Sequence, residues 1–217
     1  MKKILVLGIA VLVLLVSLAS CGEEPSEANP TNNSPEPIAV TGGEIVDIAD
    51  LGCCVKNIAV RETAFLGANT VTHTAGDFIM TLNSDKAVYT TTDIINIWGT
   101  LEYIGETDAI EIWHGCPFML FSISDGDNFS IGGMTIDILA SSVLQRGRVY
   151  HFEYQKSGGW SPDAPDAAFW ENFFSEPDLR LPAGEYTIRL RGSFGLTERV
   201  SDSPSGLIAE LTITVRP

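Results

Sequence analysis

Three histidines, four cysteines and 28 carboxylates are the groups through which this 217-residue chain could do chemistry. The histidines, His73 in Thr72-His73-Thr74, His114 in Trp113-His114-Gly115-Cys116-Pro117 and His151 in a Val149 strand, share no spacing that suggests joint catalysis. His151 is expected to face solvent. The Trp113–Pro117 cluster reads as a turn between two strands, with Gly115 and Pro117 fixing the backbone and Trp113 packing on the core. Ser124-Asp125-Gly126-Asp127-Asn128 clusters oxygen ligands of the kind calcium takes, but it lacks the spaced ligands and distal glutamate of a calcium loop and reads as a turn. There is no Gly-x-Ser-x-Gly elbow, His-Glu-x-x-His, phosphate-cradling glycine loop or dinucleotide fingerprint. Carboxylate pairs could serve glycoside hydrolysis, yet so acidic a chain forms such pairs by chance. The expectation is a non-catalytic protein without metal or cofactor.

The elements that must hold these groups begin with a leader. Lys2 and Lys3 precede an apolar run from Ile4 that ends in Leu18-Ala19-Ser20-Cys21, the layout of a secretory peptide. The run is shorter than the ~20 apolar residues that span a bilayer. Leu18-Ala19-Ser20-Cys21 resembles the bacterial lipobox. The resemblance implies a signal peptide over 1–20, cleavage before Cys21, and a diacylglyceryl group on its sulfur, so that the protein is anchored to a membrane and faces away from the cytoplasm. Two acyl chains anchor stably where one binds marginally.

With Cys21 acylated, Cys53, Cys54 and Cys116 remain, an odd number for an oxidising compartment. The leading expectation is a disulfide from Cys116 to one of the adjacent pair; a bond between Cys53 and Cys54, or buried thiols, are the alternatives. A zinc site from one of the pair, Cys116 and His114 lacks the usual two-residue gap between cysteines.

The net charge is −15, and since Lys2 and Lys3 are the leader's charged residues, processing leaves 11 basic against 28 acidic residues, a net −17. Such a surface repels the phosphates of nucleic acid and anionic lipid headgroups. Residues 21–43 are rich in Pro, Ser, Asn and Glu and nearly free of apolar side chains, so they are expected to be a disordered tether. About twenty such residues reach roughly 25 Å.

Residues 44–217 are expected to form one domain. Leu207, Ala209, Leu211, Ile213 and Val215 alternate with polar positions, as do Tyr186, Ile188 and Leu190, which marks half-buried strands. Further strands are expected at 78–82, 94–104, 109–113, 118–124 and 149–156, and Val55 to Leu66 also leans to strand. Many short strands with turn residues between them point to an all-β antiparallel sandwich. Leu181-Pro182-Ala183-Gly184-Glu185-Tyr186 resembles the Pro-x-Gly-x-Tyr lead into a late strand of bacterial immunoglobulin-like domains, where the tyrosine packs at the sandwich corner. Ser84-Asp85-Lys86-Ala87-Val88-Tyr89, leading into Ile97-Trp98-Gly99, resembles an early strand pair of that class. Val143-Leu144-Gln145-Arg146-Gly147 is similar to a bacterial proteinase-inhibitor family with an immunoglobulin-like fold.

One insertion, 157–178, breaks the rhythm. Phe169 with Phe173 and Trp170 with Phe174 lie four apart, as on one short helix, with Asp163 or Asp166 available as its cap. Together with Trp160 these rings either present stacking faces to a partner or close the open end of the sandwich. The expected function is a lipid-anchored envelope binding protein that recognises an envelope protein or a polysaccharide; the alternatives are a proteinase inhibitor and a structural or assembly component.

Overall fold

The computed structural model describes residues 66–199 and 206–217, together with the backbone of one strand at 58–61. The strands are β1 (Ile58–Arg61), β2 (Asn69–Ala75), β3 (Phe78–Ser84), β4 (Val88–Thr90), β5 (Ile97–Tyr103), β6 (Ala109–Ser124), β7 (Ser130–Gly132), β8 (Ile136–Gln145), β9 (Val149–Glu153), β10 (Gly184–Gly195) and β11 (Ile208–Arg216), with one helix, α1 (Ala167–Ser175). They form two packed sheets, an all-β sandwich with a short helical insertion. The first sheet runs β1-β9-β5-β3-β2 and the second β4-β11-β10-β6-β7, with β8 also on β6. Pairing is antiparallel except between β4 and β11, which run parallel.

The alternation expected of the late strands is what builds the core. Leu207, Ala209, Leu211, Ile213 and Val215 are buried, and Tyr186, Ile188 and Leu190 meet Met80, Leu82 and Leu101 in the same cluster. Tyr186 donates its hydroxyl to the Pro182 carbonyl at 3.0 Å. The Pro-x-Gly-x-Tyr segment thus forms a tyrosine corner that fixes where β10 begins. The β2–β3 hairpin turns through Gly76 at φ 55°. Glycine enters that left-handed region without steric cost.

Two expectations are corrected by the strands. Residues 109–124 form one continuous strand, not two joined by a turn. The 113–117 segment is held in the sheet because β8 and β10 pair along β6 from opposite edges, which outweighs the local turn preference of Gly115 and Pro117. Both registers shift there, around the cis Cys116–Pro117 peptide, and the inward parity changes from Ile112, His114, Cys116 and Phe118 to Phe121 and Ile123. Trp113 therefore lies on the outer face, half-buried.

His114, in contrast, points inward and is fully buried. Its Nδ1 lies 2.7 Å from the Gly115 carbonyl oxygen, and its Nε2 lies 2.7 Å from Ser142 Oγ. A carbonyl can only accept, so Nδ1 carries the proton and Nε2 accepts the serine hydroxyl. Burial pushes the imidazole below the usual histidine range. His151 is also buried, contrary to the expectation of solvent exposure, because β9 is covered on both faces from Val149 to Phe152. On the same outer face of the first sheet a buried polar chain runs from Asn83 through Thr81, whose hydroxyl lies 2.5 Å from that of Thr100.

The His114 geometry fixes a pH response. Its pKa is lower folded than unfolded, so its contribution is intact above about pH 6.5 and is lost as pH falls below that value, by at most ~1.4 kcal/mol per pH unit. Urea unfolding from pH 7.5 to 5 is expected to show this decline, with a shallower slope in His114→Gln; identical slopes in the two proteins would contradict the assignment.

Candidate functional site

The insertion is assembled by contacts it makes with itself and then with one distant cation. Asp166 occupies the N-cap of α1, but its carboxylate does not cap the backbone; Oδ2 accepts the Trp170 indole N–H at 2.7 Å. The aromatic pairs four apart stack, Phe169 on Phe173 with 19° between planes and Trp170 on Phe174 with 24°. That is what their spacing on one helical face requires. At the other end of the helix, Lys156 Nζ donates to the carbonyls of Phe173 and Glu176 at 2.8 Å each and of Asp178 at 2.7 Å. All three ammonium hydrogens are thereby used on carbonyls at or beyond the helix C-terminus, where the macrodipole also favours a cation. The ammonium lies 4.2 Å from the Phe173 ring centroid, close enough for attraction by the ring face. Partial burial holds Lys156 below the ordinary lysine value, and Glu176 and Asp178 counter that effect.

The five candidate binding aromatics divide into two sets. Phe173 is buried, while Trp170 and Phe174 are half-buried and pack on the core; the helix closes one end of the sandwich over Phe129. Trp160 and Phe169 remain exposed, at 41% and 42%. Trp160 is not isolated on the surface. It stacks on Phe174 with 11° between planes, Phe174 stacks on Trp170, and Trp170 stacks on Phe129 with 28°. This column of four rings runs from the core to the surface and ends in the outer face of Trp160. Gly158, at φ 150°, makes room for it, since a Cβ there would strike the Phe174 ring.

Beside this column lies a cleft of about 570 Å³, a size typical of small-ligand sites. Its walls are the 94–98 segment, the end of β9 with 154–156, and the 174–179 segment. Three backbone-anchored ties lock these walls together: Ile95 N–H to the Leu179 carbonyl at 2.9 Å, Tyr154 N–H to the Ile97 carbonyl at 3.0 Å, and Lys156 to the Glu176 and Asp178 carbonyls. The first wall is braced from behind by Asp85, whose carboxylate accepts the Tyr89 hydroxyl at 2.7 Å and the Asn96 N–H at 3.1 Å. His151 lines the cleft, 3.9 Å from Glu153. A second recess of about 220 Å³ on the helix is lined by Phe169, Phe173 and Arg180.

Among the other expected sites, Cys116 is buried and disulfide-bonded. Cys21, Cys53 and Cys54 lie outside the described residues, so the pairing does too. Both His114 nitrogens are engaged and the Cys116 sulfur is in a disulfide, which removes two donors of the conceivable zinc set. Asp125 Oδ1 accepts the N–H groups of Asp127 and Phe129 at 2.9 Å each, so its loop is a turn, and those N–H groups hold its carboxyl below the usual range. Among the described residues no three His, Cys, Asp or Glu are grouped to hold a metal ion, and no helix is long and apolar enough to cross a membrane.

No family model and no curated protein matches the chain. Among solved structures, Spo0M, the sporulation control protein of Bacillus subtilis, aligns at 11% identity with a TM-score of 0.32, over 65% of this chain and 50% of that one. A likeness of that degree carries no argument about fold or function.

Sequence reading missed the cleft and its keystone. Lys156 carries no local signal beyond being a lone cation just before the insertion in an acidic chain. Hydrogen bonds to charged groups contribute ~1.5–3 kcal/mol each, and of the three carbonyls those of Phe173 and Asp178 are part-buried while that of Glu176 is open to water, which can replace the ammonium there. Lys156→Met is therefore expected to lower stability by about 2–4 kcal/mol and to weaken the near-UV circular dichroism of the aromatic column. Unchanged stability and spectrum would show that the ammonium holds nothing.

Proposed function

We infer that this protein is a non-catalytic binding module, lipid-anchored at Cys21 to the outer side of a cell membrane, which recognises an envelope protein or an extracellular polymer at the α1 end of its sandwich. The observation that carries the binding reading is the cleft lined by Phe174, with the exposed Trp160 stacked on that ring. Contact aromatics that are ordered before binding lose little entropy on association, and aromatic side chains dominate hot spots. The anchoring reading rests on the lipobox resemblance, and the excess of acidic residues keeps the body away from anionic headgroups.

Two measurements in cells test the two halves. Radiolabelled palmitate is expected to enter the wild-type chain and not Cys21→Ser, which should also leave the membrane fraction; label or fractionation unaffected by that change contradicts the anchor. A photocrosslinking amino acid at position 160 is expected to give a defined adduct, protein or polymer, that the same probe at Arg216 does not. Equal adduct patterns at both positions would remove the α1 end as the binding face.

A further inference from the structure

We propose that the ligand of the 570 Å³ cleft is an uncharged polysaccharide, one sugar ring lying flat on Trp160 and its neighbours donating hydroxyl hydrogens to the carboxylates and amide of the cleft. This rests on the binding reading above and adds the chemical class of the ligand. Three features select it: the state of the cation, the kind of polar groups, and the charge balance. The cation of the cleft, Lys156, has all three hydrogens directed at backbone carbonyls, so no free ammonium donor awaits a phosphate or carboxylate. The polar side chains on offer are acceptor-rich, with Glu153, Glu176 and Asp178 carboxylates beside the Gln155 amide. Acceptors of this kind suit a ligand dense in hydroxyl donors.

The charge balance then separates a sugar from a basic peptide. Arg180 stands 3.1 Å from Asp178 and 3.9 Å from Glu176, and Lys156 adds its own charge beside both, so these two carboxylates are compensated. Glu153, with 66% of its side chain exposed, is the remaining acid, too little for recognition of a polycation by charge. The overall −15 disfavours acidic polymers and by itself would attract basic ones, so it is the compensated carboxylates of the cleft that disfavour a basic peptide. What remains is shape. The exposed face of Trp160, stacked on Phe174, meets the apolar face of a pyranose, and Phe174, which lines the cleft, connects that ring to the cleft that takes the following sugars.

Affinity electrophoresis of the full chain, in native gels cast with hydroxyethylcellulose, galactomannan or glycogen, tests this. Retardation in at least one gel is expected, with affinity weakened about tenfold or more in Trp160→Ala and retained in Met134→Ala, an exposed apolar residue outside the insertion, each variant first shown by near-UV circular dichroism to keep the buried aromatic packing. Glu153→Gln should weaken it less, since an amide oxygen still accepts. Free migration in all three gels, equal retardation of Trp160→Ala, or tighter binding to polygalacturonate or to an oligolysine peptide would each overturn the proposal. A protein adduct at position 160 in cells combined with free migration in the gels would sink the polysaccharide and leave the binding reading standing; no adduct and no retardation would remove both.

Discussion

One ammonium group organises the end of this molecule. The last carbonyls of a helix have no partners within it, and a helix as short as α1, nine residues, does not persist by its own propensity. Lys156 resolves both problems from 17 to 22 residues away in sequence, by donating to the Phe173, Glu176 and Asp178 carbonyls in a single three-point contact. Because Lys156 follows closely on β9, that contact transmits the position of the sheet to the insertion. The helix is thus fixed as a wall of the sandwich, and the cleft beside it has a defined shape.

The aromatic column is the second consequence. Four rings stacked from Phe129 to Trp160 would be a liability on a mobile loop, where exposed apolar area invites aggregation. Docked by Lys156 and tied by the Trp170 indole to Asp166, the inner three rings become core and the outer one becomes surface. The rings of the insertion therefore divide by burial: Phe173, Trp170 and Phe174 close the sandwich, and Trp160 and Phe169 stay exposed. The stack that closes the sandwich also sets the orientation of the outward ring.

Much of the sandwich was legible because period-two patterning reports burial on one face. The 207–215 and 186–190 alternations placed β11 and β10 inward as found, and the Pro-x-Gly-x-Tyr segment located the tyrosine corner. The pattern misleads where both faces are covered, as at His151, and where pairing on two edges overrides a turn signal, as at Gly115 and Pro117 in β6. The (i, i+4) aromatic spacing gave the helix and its stacks. The cleft was not legible, because its walls come from three separated segments joined by backbone hydrogen bonds and by a lysine indistinguishable, in sequence, from one in solvent.

The central claim is that the insertion is a docked, ordered wall of the fold. Native-state amide hydrogen exchange measures this most directly, residue by residue. The account predicts that the amides of Trp170 to Phe174 exchange nearly as slowly as those of the buried β10 positions Ile188 and Leu190. Exchange as fast as that of the exposed Gly126–Asn128 loop would contradict it.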